Sequence, residues 1–136
     1  KIKKKIYNYD KKKISEKKTL KDLKSNKIEL ICLAGFMKIL SKDFIRKFKG
    51  KILNIHPSLL PKYKGLKTHE RVIKNMEKYS GCTVHLVNSR LDSGKIVLQK
   101  KIKLSKKETP LSLQKKILNH EHRLYPRAIS KIFVSL

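Results

Sequence analysis

Two short apolar runs constrain this chain more than anything else in it. The first, Ile28 with Leu30-Ile-Cys-Leu, ends abruptly at Ala34-Gly35, and the second, Lys51-Ile-Leu-Asn-Ile-His, is stopped by Pro57. Runs this short and this uniformly apolar fit strands covered on both faces, as in a parallel sheet, where no face meets water. Between them Ser41-Lys-Asp-Phe reads as a helix start. Phe44, Ile45 and Phe48 supply that helix's buried side, and Gly50 closes it. Strand, helix and strand in this order predict a right-handed crossover between parallel neighbours.

The other elements attach to this unit. Residues 1–27 form a basic lead-in, with a helix expected from Ser15, as cap, to Ser25, and Leu20 and Leu23 as its apolar stripe. The loop from Pro57 to Gly65 holds Pro61 as well, so its shape is stiff. A helix is expected from Thr68 to Met76 with Val72, Ile73 and Met76 on one side. Cys82 to Val87 reads as a strand, Asn88 to Gly94 as a loop, and Ile96 to Leu104 as a second strand, together a late antiparallel hairpin. Thr109-Pro110 begins a long helix or helix pair toward Val134, interrupted at Pro126. The class is α/β, a mostly parallel sheet with a late antiparallel hairpin and a C-terminal helix. Residues 28–136 form one domain.

The formal net charge of +26 at first suggests a nucleic acid or an anionic membrane. Its composition argues otherwise. Nearly all of it is lysine, spread along the chain among Ile and Asn, which share A/T-rich codons. Arginine, the residue with the planar fork that suits phosphates and bases, occurs only as Arg46, Arg71, Arg90, Arg123 and Arg127. Codon bias accounts for the pattern, and a nucleic-acid partner is not expected, although an anionic substrate gains from such a field. The isolated Cys32 and Cys82 form neither a metal ligand set nor a disulfide framework, which points to a reducing compartment. No apolar run has the length of a membrane span, and the lysine-rich start is not followed by an apolar stretch of the signal-peptide kind. The cytoplasm is the expected location.

Chemistry concentrates where the second strand ends. Asn54 and His56 are two residues apart, so their side chains share one face. In open α/β sheets ligands bind at the carboxyl ends of strands. There an amide N–H can donate to a developing oxyanion while an imidazole moves a proton. Pro57 fixes the turn that follows. Downstream, Leu91-Asp-Ser-Gly forms a tight turn whose Asp92 can reach the same surface, orient His56 and favour its charged form. Taken alone, each of these residues is as readily structural. His120-Glu-His lacks the spacing of a zinc helix, so no metal is expected.

Asn54-Ile-His-Pro-Ser-Leu-Leu-Pro-Lys-Tyr-Lys-Gly, with Leu33-Ala-Gly-Phe-Met-Lys-Ile-Leu before it and Gly81-Cys-Thr-Val-His, Leu91-Asp-Ser-Gly and Glu121-His-Arg-Leu-Tyr-Pro after it, resembles the folate-dependent formyltransferases. Within that family the likeness is greatest to the branch acting on glycinamide ribonucleotide in purine synthesis. It runs from about Ile28 to Phe133. The resemblance implies a Rossmann-like formyltransferase fold and 10-formyltetrahydrofolate as co-substrate. It implies that Asn54 binds the formyl oxygen, His56 is the general acid and Asp92 supports the protonated histidine. Met37, Lys38, Ile39 and Leu40, with Asn54, Val87, Asn88 and Asp92, are implied to line the folate pocket, and Pro57 and Glu121 the nucleotide side. His85 is expected to support the pocket, and His69, beside a helix start, is a weaker candidate for a place near the substrate. Lys12 takes the place of an arginine that often contacts folate in the family.

The family's phosphate-binding glycine-rich loop has no counterpart in this chain, so the N-terminal nucleotide-binding half is expected to be missing. Alternatives are the catalytic domain of a methionyl-tRNA formyltransferase, for which the charge is suited but Lys64-Gly-Leu-Lys-Thr-His is not, a formyltetrahydrofolate hydrolase, and a basic nucleic-acid-binding module. Small-molecule substrates are the expected partners, and self-association is left open.

Overall fold

The computed structural model describes residues 4–134. After a short 3₁₀ turn, Tyr9–Lys11, its elements are α1 (Lys12–Ser25), β1 (Leu30–Leu33), α2 (Lys42–Lys47), β2 (Lys51–His56), α3 (Thr68–Lys74), β3 (Tyr79–Leu86), β4 (Ile96–Lys103) and α4 (Pro110–Phe133). The strands form one sheet in the order β1-β2-β3-β4. Parallel pairing is confined to β1 and β2, which the α2 crossover joins. β3 runs antiparallel to β2, and β4 antiparallel to β3. The sheet is therefore mixed, with the expected parallel unit at one edge and the hairpin at the other.

Alternation along β2 divides the core. Leu53 faces a cluster built with Val72 of α3, Val84 of β3, and Leu113, Ile117 and Ala128 of α4. Ile52 faces the opposite layer, where Phe44 and Phe48 pack with Leu20 and Leu23 of α1. Burying side chains of this size contributes roughly 1.5–3 kcal/mol each. Gly50 joins α2 to β2 because space demands it: a Cβ there would lie 2.0 Å from the Glu29 carbonyl oxygen.

Several expectations change. β1 is not covered on both faces: Cys32 is exposed and its neighbours are only half-buried, and β2 is the sole partner of β1 among the described strands. α1 starts at Lys12, ahead of Ser15, whose buried hydroxyl donates to the Asn8 carbonyl instead of capping. Part of the basic lead-in, residues 1–3, lies outside the described residues. α3 stops at Lys74 and Met76 is 88% exposed, since positive φ at Met76 turns the chain away from the helical face. Pro126 does not interrupt α4. Its ring lies on the exposed side, where the carbonyl left without an N–H partner can meet water, while Leu124, Ala128 and Ile132 stay packed. The start of α4 is secured by a reciprocal cap between Thr109 and Ser112. No helix among the described residues is long and apolar enough to cross a membrane.

Candidate active site

The strand register assembles the site. Asn54 and His56 project from one face of β2, and the antiparallel pairing sets Asn54 opposite His85 and His56 opposite Thr83. Leu33 lies level with Asn54 in the parallel pair, so the loop leaving β1 emerges at the same end of the sheet. The loop after His56 is tied down at several points. Thr83 Oγ1 donates to the Ser58 carbonyl at 2.7 Å and accepts from Leu60 N–H at 3.2 Å. Gln99 Nε2 donates to the Leu60 carbonyl at 3.0 Å. The Leu60–Pro61 peptide is cis. This stiff loop carries Tyr63 and Gly65 back over His56.

Four side chains converge. His85 Nδ1 lies 3.0 Å from the Leu86 carbonyl, which only accepts, so Nδ1 carries the hydrogen. Nε2 lies 3.3 Å from Asn54 Nδ2; in the protonated ring it donates toward Asp92, and in the neutral ring it accepts from that amide instead. One amide N–H of Asn54 is engaged this way, leaving the second for another acceptor. His56 Nε2 donates to the Tyr63 carbonyl at 2.8 Å, and Nδ1 lies 3.4 Å from Asp92 Oδ2. Both neighbours of His56 accept, and only a ring protonated at both nitrogens donates to both. Asp92 also accepts the Gly65 N–H at 2.8 Å, and its other oxygen lies 3.6 Å from His85 Nε2.

Asp92 is held in place by its backbone as well, with φ 44 in the left-handed region that short polar residues tolerate. Its side chain is only 8% exposed. Burial pushes the carboxyl upward. The His85 contact, the Gly65 N–H and the charges of His56 and His85 outweigh that and lower it to about 2. His69 is shifted downward by burial and by repulsion from His56, and its buried Nδ1 has no hydrogen-bond partner. Burial raises the carboxyl of Glu121.

These groups open on a cavity of about 550 Å³ between the loop after β1, the ends of β2 and β3, the turn bearing Asp92, and α4. Met37, Lys38, Ile39, Leu40, Asn54, His56, Pro57, Val87, Asn88, Asp92 and Glu121 all line it. Met37 is 70% and Ile39 62% exposed, so neither serves as core. An amphipathic wall of this kind suits a flat, partly apolar ligand. Lys12, at the start of α1, is exposed and is not among the residues lining this cavity.

Residues 2–129 match the formyl transferase family. The chain belongs to that family. Phosphoribosylglycinamide formyltransferase of Haemophilus influenzae is 46% identical to it over 107 residues, 79% of this chain and 50% of that protein. The human trifunctional purine biosynthetic protein adenosine-3 is 42% identical over 105 residues, 77% of this chain and 10% of that one. Phosphoribosylglycinamide formyltransferase of Coxiella burnetii superposes with a TM-score of 0.85 at 37% identity, covering 92% of this chain and 60% of that structure. The chain spans half the length of the Haemophilus influenzae relative.

Within this formyl transferase chain, reading the residues alone undervalued three contributors. His85 looks like any strand histidine until register pairs it with Asn54. Gly65 and Tyr63 act through backbone N–H and C=O, which residue type does not advertise. Leu118 and Gln114 of α4 also reach the cavity wall, and only the packing of α4 on the sheet brings them there. No group of three or more His, Cys, Asp or Glu among the described residues is arranged to hold a metal ion.

Proposed function

We propose that this formyl transferase moves the formyl group of 10-formyltetrahydrofolate to the amine of glycinamide ribonucleotide, as in purine synthesis. One observation carries the reading: Asn54, His56 and Asp92 meet on one wall of a cavity that the exposed loop Met37–Leu40 closes on another side. In this reading the folate's ring system lies along that loop and the turn from Val87 to Asp92, with the nucleotide toward Pro57 and Glu121. The two free thiols, Cys32 and Cys82, agree with a reducing, cytoplasmic setting.

The substrate nitrogen attacks the formyl carbon and gives a tetrahedral intermediate. The second N–H of Asn54 donates to its oxygen, and the His56 imidazolium, held opposite Asp92, adds positive charge nearby. The new C–N bond remains, the bond to the folate nitrogen breaks, and one proton passes from the attacking amine to that nitrogen. Because His56 Nε2 is engaged by Tyr63, this transfer requires either a swing of the ring off the carbonyl or a water beside Asp92. A carboxylate well below its usual range stays charged throughout, 3.4 Å from His56 Nδ1.

The test is formyl transfer from 10-formyltetrahydrofolate by the full-length protein, because this chain has no counterpart of the family's glycine-rich phosphate loop, with glycinamide ribonucleotide and, in parallel, methionyl-tRNA as acceptor. Turnover with the nucleotide alone is expected. Transfer to methionyl-tRNA alone would move the chain to the other branch, and folate binding without transfer to either would reject the reaction.

A further inference from the structure

Glu16 lies outside the cavity and is 6% exposed, an unusual depth for a carboxylate. Its Oε1 accepts from Tyr9 Oη at 3.0 Å and from the Ser41 N–H at 2.8 Å, and its Oε2 accepts from the Ser41 hydroxyl. The same hydroxyl accepts from Phe44 N–H at 3.0 Å and so caps α2. Tyr9 in turn sets its ring edge-on to Phe36, with centroids 5.4 Å apart and planes at 85°. Phe36 and Ser41 bracket the loop segment Met37–Leu40 that walls the cavity.

Leu40 packs on the Phe44–Phe48 cluster, but Met37 and Ile39 are exposed, so burial anchors only the C-terminal end of the loop. A wall that must present exposed apolar side chains to a ligand depends on how its ends are held. Glu16 grips one end directly, through two bonds to Ser41, and the other through Tyr9 and Phe36. The buried Ser15 hydroxyl, donating to the Asn8 carbonyl, keeps Tyr9 against the helix. A carboxylate buried with three neutral donors is a costly arrangement that the packing of α1 does not need.

We infer that Glu16 is a positioning residue of the folate-binding wall: through Ser41 and Tyr9 it sets the conformation of Met37–Leu40 in which the co-substrate is held. The inference rests on the formyl-transfer reading of the cavity. It separates two substitutions that a role in packing alone would not. Glu16→Gln keeps an acceptor for Tyr9 and Ser41 N–H and supplies an N–H to the Ser41 oxygen. Glu16→Leu keeps the volume and removes every bond.

The experiment measures the dissociation constant of 10-formyl-5,8-dideazafolate by calorimetry, with the melting temperature and the hydrogen exchange of amides 36–41 alongside. Glu16→Leu should weaken binding roughly tenfold or more and speed exchange in the loop by a similar factor, and Glu16→Gln should stay within about twofold of the parent chain. Binding by a folded Glu16→Leu chain equal to the parent's overturns the inference, as does a Glu16→Gln chain as weak as the leucine variant. If Glu16→Leu does not fold, Tyr9→Phe decides: unchanged affinity and unchanged exchange around Phe36 overturn the inference. A parent chain that binds no folate analogue rejects the formyl-transfer reading itself, a result distinct from any of these.

Discussion

Asn54 Nδ2 lies 3.3 Å from His85 Nε2, directly across the β2–β3 ladder, and this contact sets which way the amide of Asn54 faces. With Nδ1 of His85 committed to the Leu86 carbonyl, Nε2 of the neutral ring takes an N–H from Asn54 and holds its carboxamide in one orientation. In the proposed reaction, the donor for the formyl oxygen is thereby oriented before a ligand arrives. Asn54→Ala should lower kcat by roughly 10²–10³-fold, the usual cost of one oxyanion donor. His85→Phe, which keeps the ring and loses the acceptor, should lower kcat by roughly tenfold or more with KM for folate nearly unchanged. Steady-state rates on both variants check this, and a His85→Phe enzyme with parental kcat would contradict it.

His56 and Asp92 should act as a unit. Loss of the acid group in His56→Ala is expected to cost roughly 10²–10⁴-fold in kcat. Asp92→Asn should give a comparable loss. The double variant should be scarcely worse than either single one, because each substitution already disables the pair. Additive losses would show that the 3.4 Å contact is incidental to the reaction.

The depressed carboxyl of Asp92 ties stability to pH. Its value falls from 3.8 to about 2 on folding, so its contribution is fully present above the unfolded value and is lost as pH falls through the folded one. The window is therefore about pH 4 down to pH 2, and the contribution is ~2 kcal/mol. Urea unfolding at a series of pH values should show the parent losing that much relative to Asp92→Asn across the window. Parallel curves for the two proteins would be the contrary result.

Gly94 closes the turn that carries Asp92, and a Cβ there would lie 1.6 Å from the Leu86 carbonyl oxygen. Backbone cannot yield as a flexible side chain does, so Gly94→Ala must move the turn. We expect destabilisation of about 2 kcal/mol or more together with a fall in kcat. Gly35→Ala, with no atom within 4 Å of the new Cβ but φ at +63, should be milder, about 1 kcal/mol. Thermal melts of the two variants, compared side by side, test the ordering.

How much of this was legible beforehand depends on what kind of signal each residue sends. Asn54 and His56 stand at the end of a strand that Pro57 terminates, and the two-residue spacing places them together without further knowledge. Asp92 sits in a turn with an obvious reason to be acidic or polar, and the family resemblance, rather than its spacing, pointed to it. The apolar composition of Met37–Leu40 does not separate core from cavity wall; the family resemblance pointed to the pocket, and the exposure of Met37 and Ile39 argues against core. His85 needed the register of β3 on β2, a long-range fact that local patterns do not hold. Pro126 misled because its ring costs about 3 kcal/mol in a helix interior, and the packing of Leu124, Ala128 and Ile132 outweighs a local penalty of that size. Cys32 misled in the opposite sense, since an apolar run signals burial even where the strand has one neighbour.

Among the described strands β1 pairs with β2 alone, and this has a consequence for handling this chain. The strand's outer row of N–H and C=O groups, on an apolar stretch, is an adhesive edge of the kind that lets copies of a chain stack. The charge of +26 works against such stacking, because copies approaching edge to edge repel one another. Salt shortens the reach of that repulsion to ~8 Å at physiological strength and to ~3 Å at 1 M. The colloidal behaviour should therefore run opposite to that of a nucleic-acid-binding protein cleared by high salt: clear and dispersed in dilute buffer, clouding as salt is added.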